Sequence, residues 1–309
     1  MREIRSRLLS EIRKVVLGQD DTADFVLAAI SVQGHVLLEG VPGVAKSLLA
    51  STIARALGVS FRRVQFTPDM LPSDLTGTMA LRGQELAFRP GPVFTNMLLA
   101  DEINRTPPKA QSALLEAMQE RQVSIDGTSH PLPDPFLVIA TQNPIEYEGT
   151  YPLPEAQLDR FLLQVSVGYP PPADELAMLH LAHHGVVPAS MDSVVTVTNL
   201  EELAALRALV DATTVSDDVL GYIAALGLAT RRLPSVLLGA SPRSLIHLLA
   251  ASKASARMAG RDYVTPDDVA WMAPAVWRHR LQLRPEAELE RGTSDDAIRT
   301  ALASVAVPR

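Results

Sequence analysis

The sequence predicts an α/β fold, in which an αβα core with a five-stranded parallel sheet is followed by an all-helical second domain. In the first half, five short apolar runs alternate with helical patterns, which is typical of βαβ units. In the second half, the periodicity is helical throughout. Only 5% of the 309 residues are aromatic, so we expect cores built from Leu, Val, Ile and Ala.

The first half begins with an amphipathic helix, because Ile4, Leu8, Ile12 and Val15 recur at helical spacing. A second helical pattern covers about 21–31. The apolar runs that predict strands are 35–38, 63–66, 97–100, 136–140 and 161–165, and the helical patterns among them are 47–57, 109–120 and 155–160. Residues 78–88 and 122–128 each predict a hairpin of two short strands around a glycine turn.

A proline run at 170–172 separates the two parts of the chain, because consecutive prolines continue neither a helix nor a central strand. It predicts a core domain at 1–170 and a helical domain at 171–309, each long enough to bury a core of its own. The helical patterns of the second domain are 173–184, 199–212, 216–231, 242–259, 265–278 and 294–305. Ser241 and Thr265 precede prolines and are predicted N-caps.

The composition argues against several classes of function. A net charge of -7 argues against binding to nucleic acid through bulk electrostatics. The absence of cysteine excludes disulfides, cysteine-ligated zinc and thiol catalysis. The sequence contains no apolar run of the roughly 18 residues that a membrane span needs, and no apolar segment typical of a signal peptide. We therefore expect a cytoplasmic protein without membrane insertion.

A glycine-containing loop follows the first predicted strand and opens a helix, which is the context of a phosphate-binding loop. Its residues are Gly40, Val41, Pro42, Gly43, Val44, Ala45, Lys46 and Ser47, with Leu48 next in the helix. We expect Lys46 to neutralise phosphate and the Ser47 hydroxyl to bind Mg²⁺. Ala45 replaces the usual second glycine, which is tolerable if this residue has helical dihedral angles, because the methyl group then causes no strain. The alternative is a strand-to-helix turn with an incidental lysine.

Two acids, Asp101 and Glu102, end the buried strand predicted at 97–100. A carboxylate at such a strand tip can hold Mg²⁺, and its neighbour can activate the attacking water. We assign Asp101 to the metal and Glu102 to the base; the alternative is that both acids only cap the loop before Asn104. Asn143 follows the strand predicted at 136–140 and could orient the same water, although Asn before proline is also a common turn.

These features resemble the MoxR family of AAA+ ATPases. The stretches that carry the resemblance are VLGQ (16–19), GHVLLEGVPGVAKS (34–47), QFTPDMLPSDLTG (65–77), GPVFTNMLLADEINR (91–105), QSALLEAMQERQVSIDG (111–127), IATQNP (139–144), YPLPEAQLDRF (151–161) and SPRS (241–244). They cover most of residues 16–170 and one short signature in the helical domain. The family's phosphate loop often has alanine before its lysine, so Ala45 fits the resemblance.

The resemblance implies roles that the residues alone do not assign. It places Val16, Gly18 and Gln19 beside adenine and makes Asp101 and Glu102 the Walker B pair. Asn143 would be sensor 1 and Arg243 sensor 2. Arg160 would be an arginine finger that acts on a neighbouring subunit. From the residues alone, Arg160 is a surface partner of Asp159 and Arg243 an exposed first-turn arginine. The cluster Arg278-His279-Arg280 is interpreted as charges that complement a helix terminus, and His180, His183 and His184 as a solvated face rather than a metal site.

The implied function is that of an ATP- and Mg²⁺-dependent chaperone that remodels or matures client proteins. The family resemblance implies a homo-oligomer, a hexameric ring, which acts with a partner carrying a von Willebrand factor A domain and in some cases assists metal or cofactor insertion. The two hairpins resemble inserts that face the central pore, or are simply stable surface hairpins. The main alternative is a DNA-directed motor, against which the net charge of -7 stands; a scaffold that does not hydrolyse nucleotide is a further alternative.

Overall fold

The computed structural model describes residues 1–83, 85–143, 150–183 and 191–308. Among these residues, no helix combines the length and the apolar character that crossing a membrane requires. His184 lies outside the described residues.

The first part of the chain alternates helices and strands as the sequence predicts. Its elements are α1 (Arg2–Ile12), α2 (Asp20–Ser31), β1 (Val36–Glu39), α3 (Lys46–Ala56), β2 (Phe61–Gln65), α4 (Pro72–Thr76), β3 (Gly77–Arg82), β4 (Glu85–Pro90), β5 (Met97–Asp101), α5 (Pro108–Glu120), β6 (Gln122–Ile125), β7 (Thr128–Pro131), β8 (Leu137–Gln142), α6 (Glu155–Leu158) and β9 (Leu163–Ser166). The sequence did not predict the short helix α4.

Five of these strands form one parallel sheet in the order β2-β5-β8-β1-β9. The prediction of a five-stranded parallel sheet is therefore confirmed. Every residue of β5 is buried, as expected for a central strand covered on both faces. One face packs against α1, α2 and α3 and the other against α5. Because the strands are parallel, their carboxyl ends all lie at the same end of the sheet.

Two antiparallel hairpins lie outside the sheet, as predicted. The hairpin β3–β4 pairs Leu81 with Leu86 near its turn, and the hairpin β6–β7 turns at Asp126 and Gly127. The ring of Phe88 on the first hairpin stacks on His130 of the second at a centroid distance of 4.0 Å. The two insertions therefore contact each other rather than standing alone.

The second part of the chain is a helical lid that carries one small strand pair. Its elements are α7 (Pro172–His183), α8 (Leu200–Asp211), α9 (Asp217–Arg232), β10 (Val236–Leu238), α10 (Pro242–Met258), α11 (Pro266–Trp277), β11 (Gln282–Leu283), α12 (Pro285–Leu289) and α13 (Ser294–Ser304). The helical prediction is confirmed, but the antiparallel pair β10–β11 departs from an all-helical domain. Strands of three and two residues are too short for a periodic signal.

The N-terminal helices join the lid to the core. Helices α1 and α2 pack against α10, and the rings of Phe25 and Trp271 stack at 4.8 Å. One apolar cluster runs through this contact from the sheet into the lid. The proposed boundary after residue 170 falls between β9 and α7, and the packing of α1 and α2 shows that the two parts share buried surface.

Candidate active site

The chemistry-bearing residues meet at the carboxyl edge of the sheet because of the strand order. Strand β8 lies between β5 and β1. The segments that follow these three strands are Glu102, Asn143 and the loop 40–45, so they lie side by side. In open parallel sheets this edge is the usual place for ligands. The three motifs that the sequence singled out are thus brought to one site.

The loop 40–45 has a backbone that favours glycine at three positions. A Cβ atom on Gly40 would lie 2.3 Å from the carbonyl oxygen of Val167, and Gly43 has a φ of +89° with open space around its Cβ position. Ala45 has a φ of +60° and a ψ of +25°, so the condition of right-handed helical dihedral angles, under which alanine would be free of strain, is not met. A left-handed conformation costs an L-residue about 1–2 kcal/mol. Alanine is accommodated here under strain, at the last position before α3.

Lys46 is the first residue of α3, and its side chain contacts the start of the loop. Its Nζ donates hydrogen bonds to the carbonyl oxygens of Gly40 and of Val41, the latter at 3.2 Å. Burial lowers the pKa of Lys46, and the carboxylates of Asp101 and Glu102 offset part of that effect. The ammonium group is therefore a desolvated cation at the mouth of the loop, which suits it to bind phosphate.

Asp101 is the hub of a hydrogen-bond network. One carboxylate oxygen accepts from Thr141 Oγ1 at 2.5 Å, and the other accepts from Ser47 Oγ at 3.0 Å and Arg63 Nη2 at 2.6 Å. Burial would raise the pKa of Asp101, but the hydrogen bonds from Thr141, Arg63 and Ser47 outweigh it and hold the pKa below its ordinary value. The carboxylate is thus ionised and adjacent to the Ser47 hydroxyl, an oxygen donor set suited to Mg²⁺.

Glu102 lies beside this hub in a left-handed conformation, with a φ of +57°. Its Oε2 accepts from Gln65 Nε2 at 2.7 Å and pairs with Arg105 Nε at 3.0 Å. Its backbone N–H donates to Thr141 Oγ1 at 2.9 Å. The carboxylate is therefore held by strand β2 on the side away from β1.

Sequence reasoning missed Arg63, Gln65 and Thr141. The sequence does contain a signal for the first two, because Arg63 and Gln65 are two residues apart on β2. In the register of the sheet, Gln65 pairs with Asp101. Polar residues at i and i+2 near the end of a strand point to the same face. The information that β2 neighbours β5 comes from the sheet order, which the sequence alone did not supply.

A cavity of about 390 Å³ adjoins the loop. The predicted nucleotide contacts on its wall are Val16, Gln19, Gly43, Val44, Ala45 and Leu48. The wall also includes Tyr169, Met178 and Leu179, and these three were not predicted. Gly18 and Gln19 line a second cavity of about 520 Å³ next to it. An apolar slot beside a phosphate-binding loop fits a purine base.

Asn143 is buried directly after β8, next to the strand that carries Asp101. This placement agrees with the sensor 1 position that we predicted, and the role itself stays a prediction. Arg160 and Arg243 have other described neighbours. Arg243 Nη1 contacts Asp159 Oδ2 at 3.4 Å, so its described ion pair joins it to the residue before Arg160 rather than to the phosphate loop.

The interpretation of Arg160 as the surface partner of Asp159 is wrong. Asp159 pairs with Arg243 and, at 2.7 Å, with Arg280. The guanidinium of Arg160 lines a cavity with Glu116 and Glu120 of α5, and within the described parts of the chain it forms no ion pair. Arg280 does contact the end of α11, because its Nη1 donates to the carbonyl oxygen of Val276, but its side chain is only 4% exposed and also pairs with Asp159.

Comparison with known proteins agrees with this geometry. Residues 35–163 match the ATPase family associated with various cellular activities (AAA), and residues 228–301 match the AAA lid domain. The chain is 45% identical to the protein YeaC of Bacillus subtilis over 98% of its own length and 94% of that protein. It is 44% identical to "Chaperone MoxR1" of Mycobacterium tuberculosis, over 98% of its length and 82% of that protein.

A solved structure shares the whole architecture. The crystal structure of a Cytophaga hutchinsonii protein described as a candidate ATPase superimposes with a TM-score of 0.90 at 40% identity. The match covers 99% of this chain and 96% of that one, so both the sheet and the lid are shared.

Proposed function

Because the chain belongs to the MoxR family of AAA+ ATPases and hydrolyses ATP, we propose that hydrolysis drives a hexameric ring of identical subunits that remodels or matures client proteins. The observation that carries this proposal is that the described contacts of the catalytic groups form two sets. Ser47 of the loop 40–47 contacts Asp101, next to Glu102, whereas Arg243 contacts Asp159, next to Arg160. A second copy of the chain would bring the two sets to one nucleotide.

The residues present fit ATP and Mg²⁺. The open space around Gly43 leaves room for phosphate oxygens beside the N-terminus of α3, where backbone N–H groups favour anions. The hydroxyl of Ser47 and the carboxylate of Asp101 are 3.0 Å apart and would hold Mg²⁺. Bound there, the ion would neutralise charge on the phosphates.

The remaining steps belong to side chains of the chain itself. Lys46 would neutralise the outer phosphate oxygens, and Glu102 would accept a proton from the attacking water. Asn143 would orient that water from the tip of the neighbouring strand. Arg160 would approach the γ-phosphate of an adjacent subunit, and its unpaired guanidinium in the described chain is free to do so. Arg243 has a side chain that is 61% exposed and would act from the same side.

The hairpin β3–β4 supports a protein client. Leu81 and Leu86 face each other across the hairpin and are 74% and 67% exposed. An exposed apolar pair at the turn of a hairpin is suited to contact with another protein. The proposal extends, on the family resemblance, to a partner with a von Willebrand factor A domain and to metal or cofactor insertion as one form of maturation.

The substitution Glu102→Gln tests the proposed base. It preserves shape but removes the proton acceptor, so we expect turnover to fall at least 100-fold while ATP binding persists. Binding of a fluorescent ATP analogue and phosphate release measure the two quantities separately. Glu286→Gln, an exposed glutamate of α12, is the matched control and should change neither. Lost binding, or retained turnover, would assign the base to another residue.

The client is tested with the same variant. Affinity capture on the Glu102→Gln protein in ATP should retain a protein partner, because the nucleotide is not consumed. ATPase assays with added DNA separate the alternative: strong stimulation that falls with salt would overturn the client-protein proposal in favour of a DNA motor.

A further inference from the structure

A buried arginine of the lid, Arg280, donates hydrogen bonds to the segment that carries Arg160. Arg280 follows α11, and its Nε donates to Asp159 Oδ1 at 2.7 Å. Its Nη2 donates to the carbonyl oxygens of Asp159 at 3.0 Å and of Phe161 at 2.6 Å, and its Nη1 donates to that of Leu162 at 3.1 Å. Every nitrogen of this guanidinium therefore has an acceptor in the core segment 159–162.

These acceptors flank Arg160 on both sides. The carbonyls of Asp159 and Phe161 belong to the residues immediately before and after it, so Arg280 fixes the backbone from which the Arg160 side chain projects. His279 adds a contact between its Nε2 and the carbonyl oxygen of Phe161 at 3.1 Å. The side chain of Arg160 itself remains outside this network.

The same network includes Arg243. The second carboxylate oxygen of Asp159 contacts Arg243, and Nη2 of Arg280 contacts His247 Nδ1 at 2.8 Å. Arg243 and His247 lie on α10, one turn apart. Two lid segments thus converge on one aspartate of the core, next to Arg160.

Holding the lid against the core does not in itself require a buried guanidinium. Apolar side chains of similar volume hold two surfaces together as well as, or better than, a buried ion pair. A planar guanidinium instead provides several donors in a fixed geometry, which sets the orientation of the groups that it binds. The choice of arginine at a site that is 4% exposed therefore indicates orientation of the bound segment.

We propose that Arg280 is a positioning residue for Arg160, which aims the arginine finger at the neighbouring subunit only while the lid of its own subunit is seated on the core. The inference rests on the proposed function, in which Arg160 acts in trans. It adds the route by which a lid, moved by its own nucleotide, changes hydrolysis in the next subunit.

Arg278 provides a matched control. It lies two residues earlier and also joins the lid to the core, since its Nη1 donates to Ser166 Oγ at 3.1 Å and to the carbonyl oxygen of Gln164 at 3.3 Å. Its Nε pairs with Asp295 at 2.8 Å. None of these described contacts involves the segment 159–162.

The experiment mixes two kinds of subunit in one ring. Acceptor subunits carry Arg160→Ala and retain an intact nucleotide site; donor subunits carry Lys46→Ala and retain an intact finger. Donors with Lys46→Ala alone should restore turnover. We expect donors that add Arg280→Lys or Arg280→Ala to restore less than a tenth of that turnover, and donors that add Arg278→Ala to restore it within twofold.

Arg280→Lys keeps the charge for Asp159 but cannot reach the carbonyls together, so it separates folding from positioning. Homogeneous rings of Arg280→Lys should show kcat reduced about tenfold, with ring size by light scattering and affinity for a fluorescent ATP analogue both unchanged within twofold. These two readouts report on the subunit without depending on turnover.

The outcomes distinguish the two levels of the proposal. If Lys46→Ala donors restore no turnover in verified mixed rings, the trans role of Arg160 is wrong and the inference falls with it. If they restore turnover and the Arg280→Lys donors do so equally well, the trans role stands and only the inference is overturned. Loss of ring assembly in Arg280→Lys would assign Arg280 to assembly and also overturn it.

Discussion

The nucleotide half of the site, formed by residues 40–47 with Asp101 and Glu102, is built under strain, whereas the arginine half, formed by Asp159, Arg160, Arg243 and Arg280, is not. Ala45 and Glu102 have left-handed backbones. In the arginine half, Asp159 has a φ of -61° and pairs with both lid arginines. Strain at functional residues must be offset by stabilising contacts elsewhere. The comparison indicates that the arginine half contributes stability that the nucleotide half lacks.

The largest expected difference between the halves is in folding stability. Asp159→Ala leaves the buried Arg280 without its carboxylate, which should lower the free energy of unfolding by about 3 kcal/mol. Lys46→Ala removes an ammonium whose hydrogen bonds, among the described residues, go to the carbonyl oxygens of Gly40 and Val41, and should change the free energy of unfolding by less than about 1 kcal/mol. Urea unfolding of the nucleotide-free chain measures both changes.

Asp295→Ala is the control for this prediction. Its carboxylate pairs with Arg278 in a more exposed setting, so its loss should cost less than about 1 kcal/mol. If Asp159→Ala and Asp295→Ala prove equally mild, the arginine half does not stabilise the fold as the comparison requires.

A fall in pH should lower the free energy of unfolding through the arginine half, by a smaller amount than Asp159→Ala. Burial, together with the charges of Arg280 and Arg243, lowers the pKa of His247 to about 4, with Asp159 opposing. Because the ordinary value is near 6.5, the unfolded chain binds the extra proton between pH 6.5 and 4, and stability falls as the pH falls through that window. From pH 7.5 to 5 this single histidine should lower the free energy of unfolding by about 2 kcal/mol.

The substitution His247→Gln should remove that part of the pH dependence, since glutamine can still accept from Arg280 but does not titrate in this range. Asp101 should contribute nothing to the pH dependence of the free energy of unfolding above pH 5, because its lowered pKa keeps the carboxylate ionised. Urea unfolding at pH 7.5 and 5 provides the measurement. His180→Gln, at an exposed position on α7, should retain the full pH dependence; if His247→Gln also retains it, His247 is protonated in the folded state.

The two halves also differ in how far the sequence predicts them. The phosphate loop and the pair Asp101 and Glu102 are contiguous with strands that have clear apolar patterns, so local rules place them. The network of Asp159, Arg243 and Arg280 joins residues that are 84 and 121 positions apart, and no local rule pairs them. The sequence alone accordingly assigned Arg280 to a helix terminus.

Local rules also have a limit within the nucleotide half. The motif predicted the loop at 40–47 but not the backbone of Ala45, because a consensus position does not state its dihedral angles. Gln65 escaped notice for a different reason: its partner Glu102 directly follows the neighbouring strand β5, and the order of strands comes from tertiary packing. The helices and strands could therefore be predicted from the sequence, but which of them lie next to each other could not.

A kinetic effect of moderate size should follow from Gln65. This residue holds the Glu102 carboxylate toward β2, away from the strand that leads into the phosphate loop. Gln65→Ala should let the carboxylate turn toward the loop and raise the basal turnover about two- to fivefold, with ATP affinity unchanged. Steady-state phosphate release is the measurement, with Gln122→Ala on β6 as the control. A fall in turnover would show that Gln65 holds Glu102 in its active orientation.

The smallest expected effect tests the strain itself. Alanine at a φ of +60° costs about 1–2 kcal/mol, and glycine relieves this cost but loses about 0.5–1 kcal/mol of backbone entropy on folding. Ala45→Gly should therefore raise the free energy of unfolding by about 0.5 kcal/mol, measured by urea unfolding. Ala50→Gly in the interior of α3 should do the opposite, by about 1 kcal/mol or more, because that position is helical and buried. The sign matters more than the size: if both substitutions destabilise, Ala45 is unstrained in the nucleotide-free chain, and the nucleotide half does not need stability supplied from elsewhere.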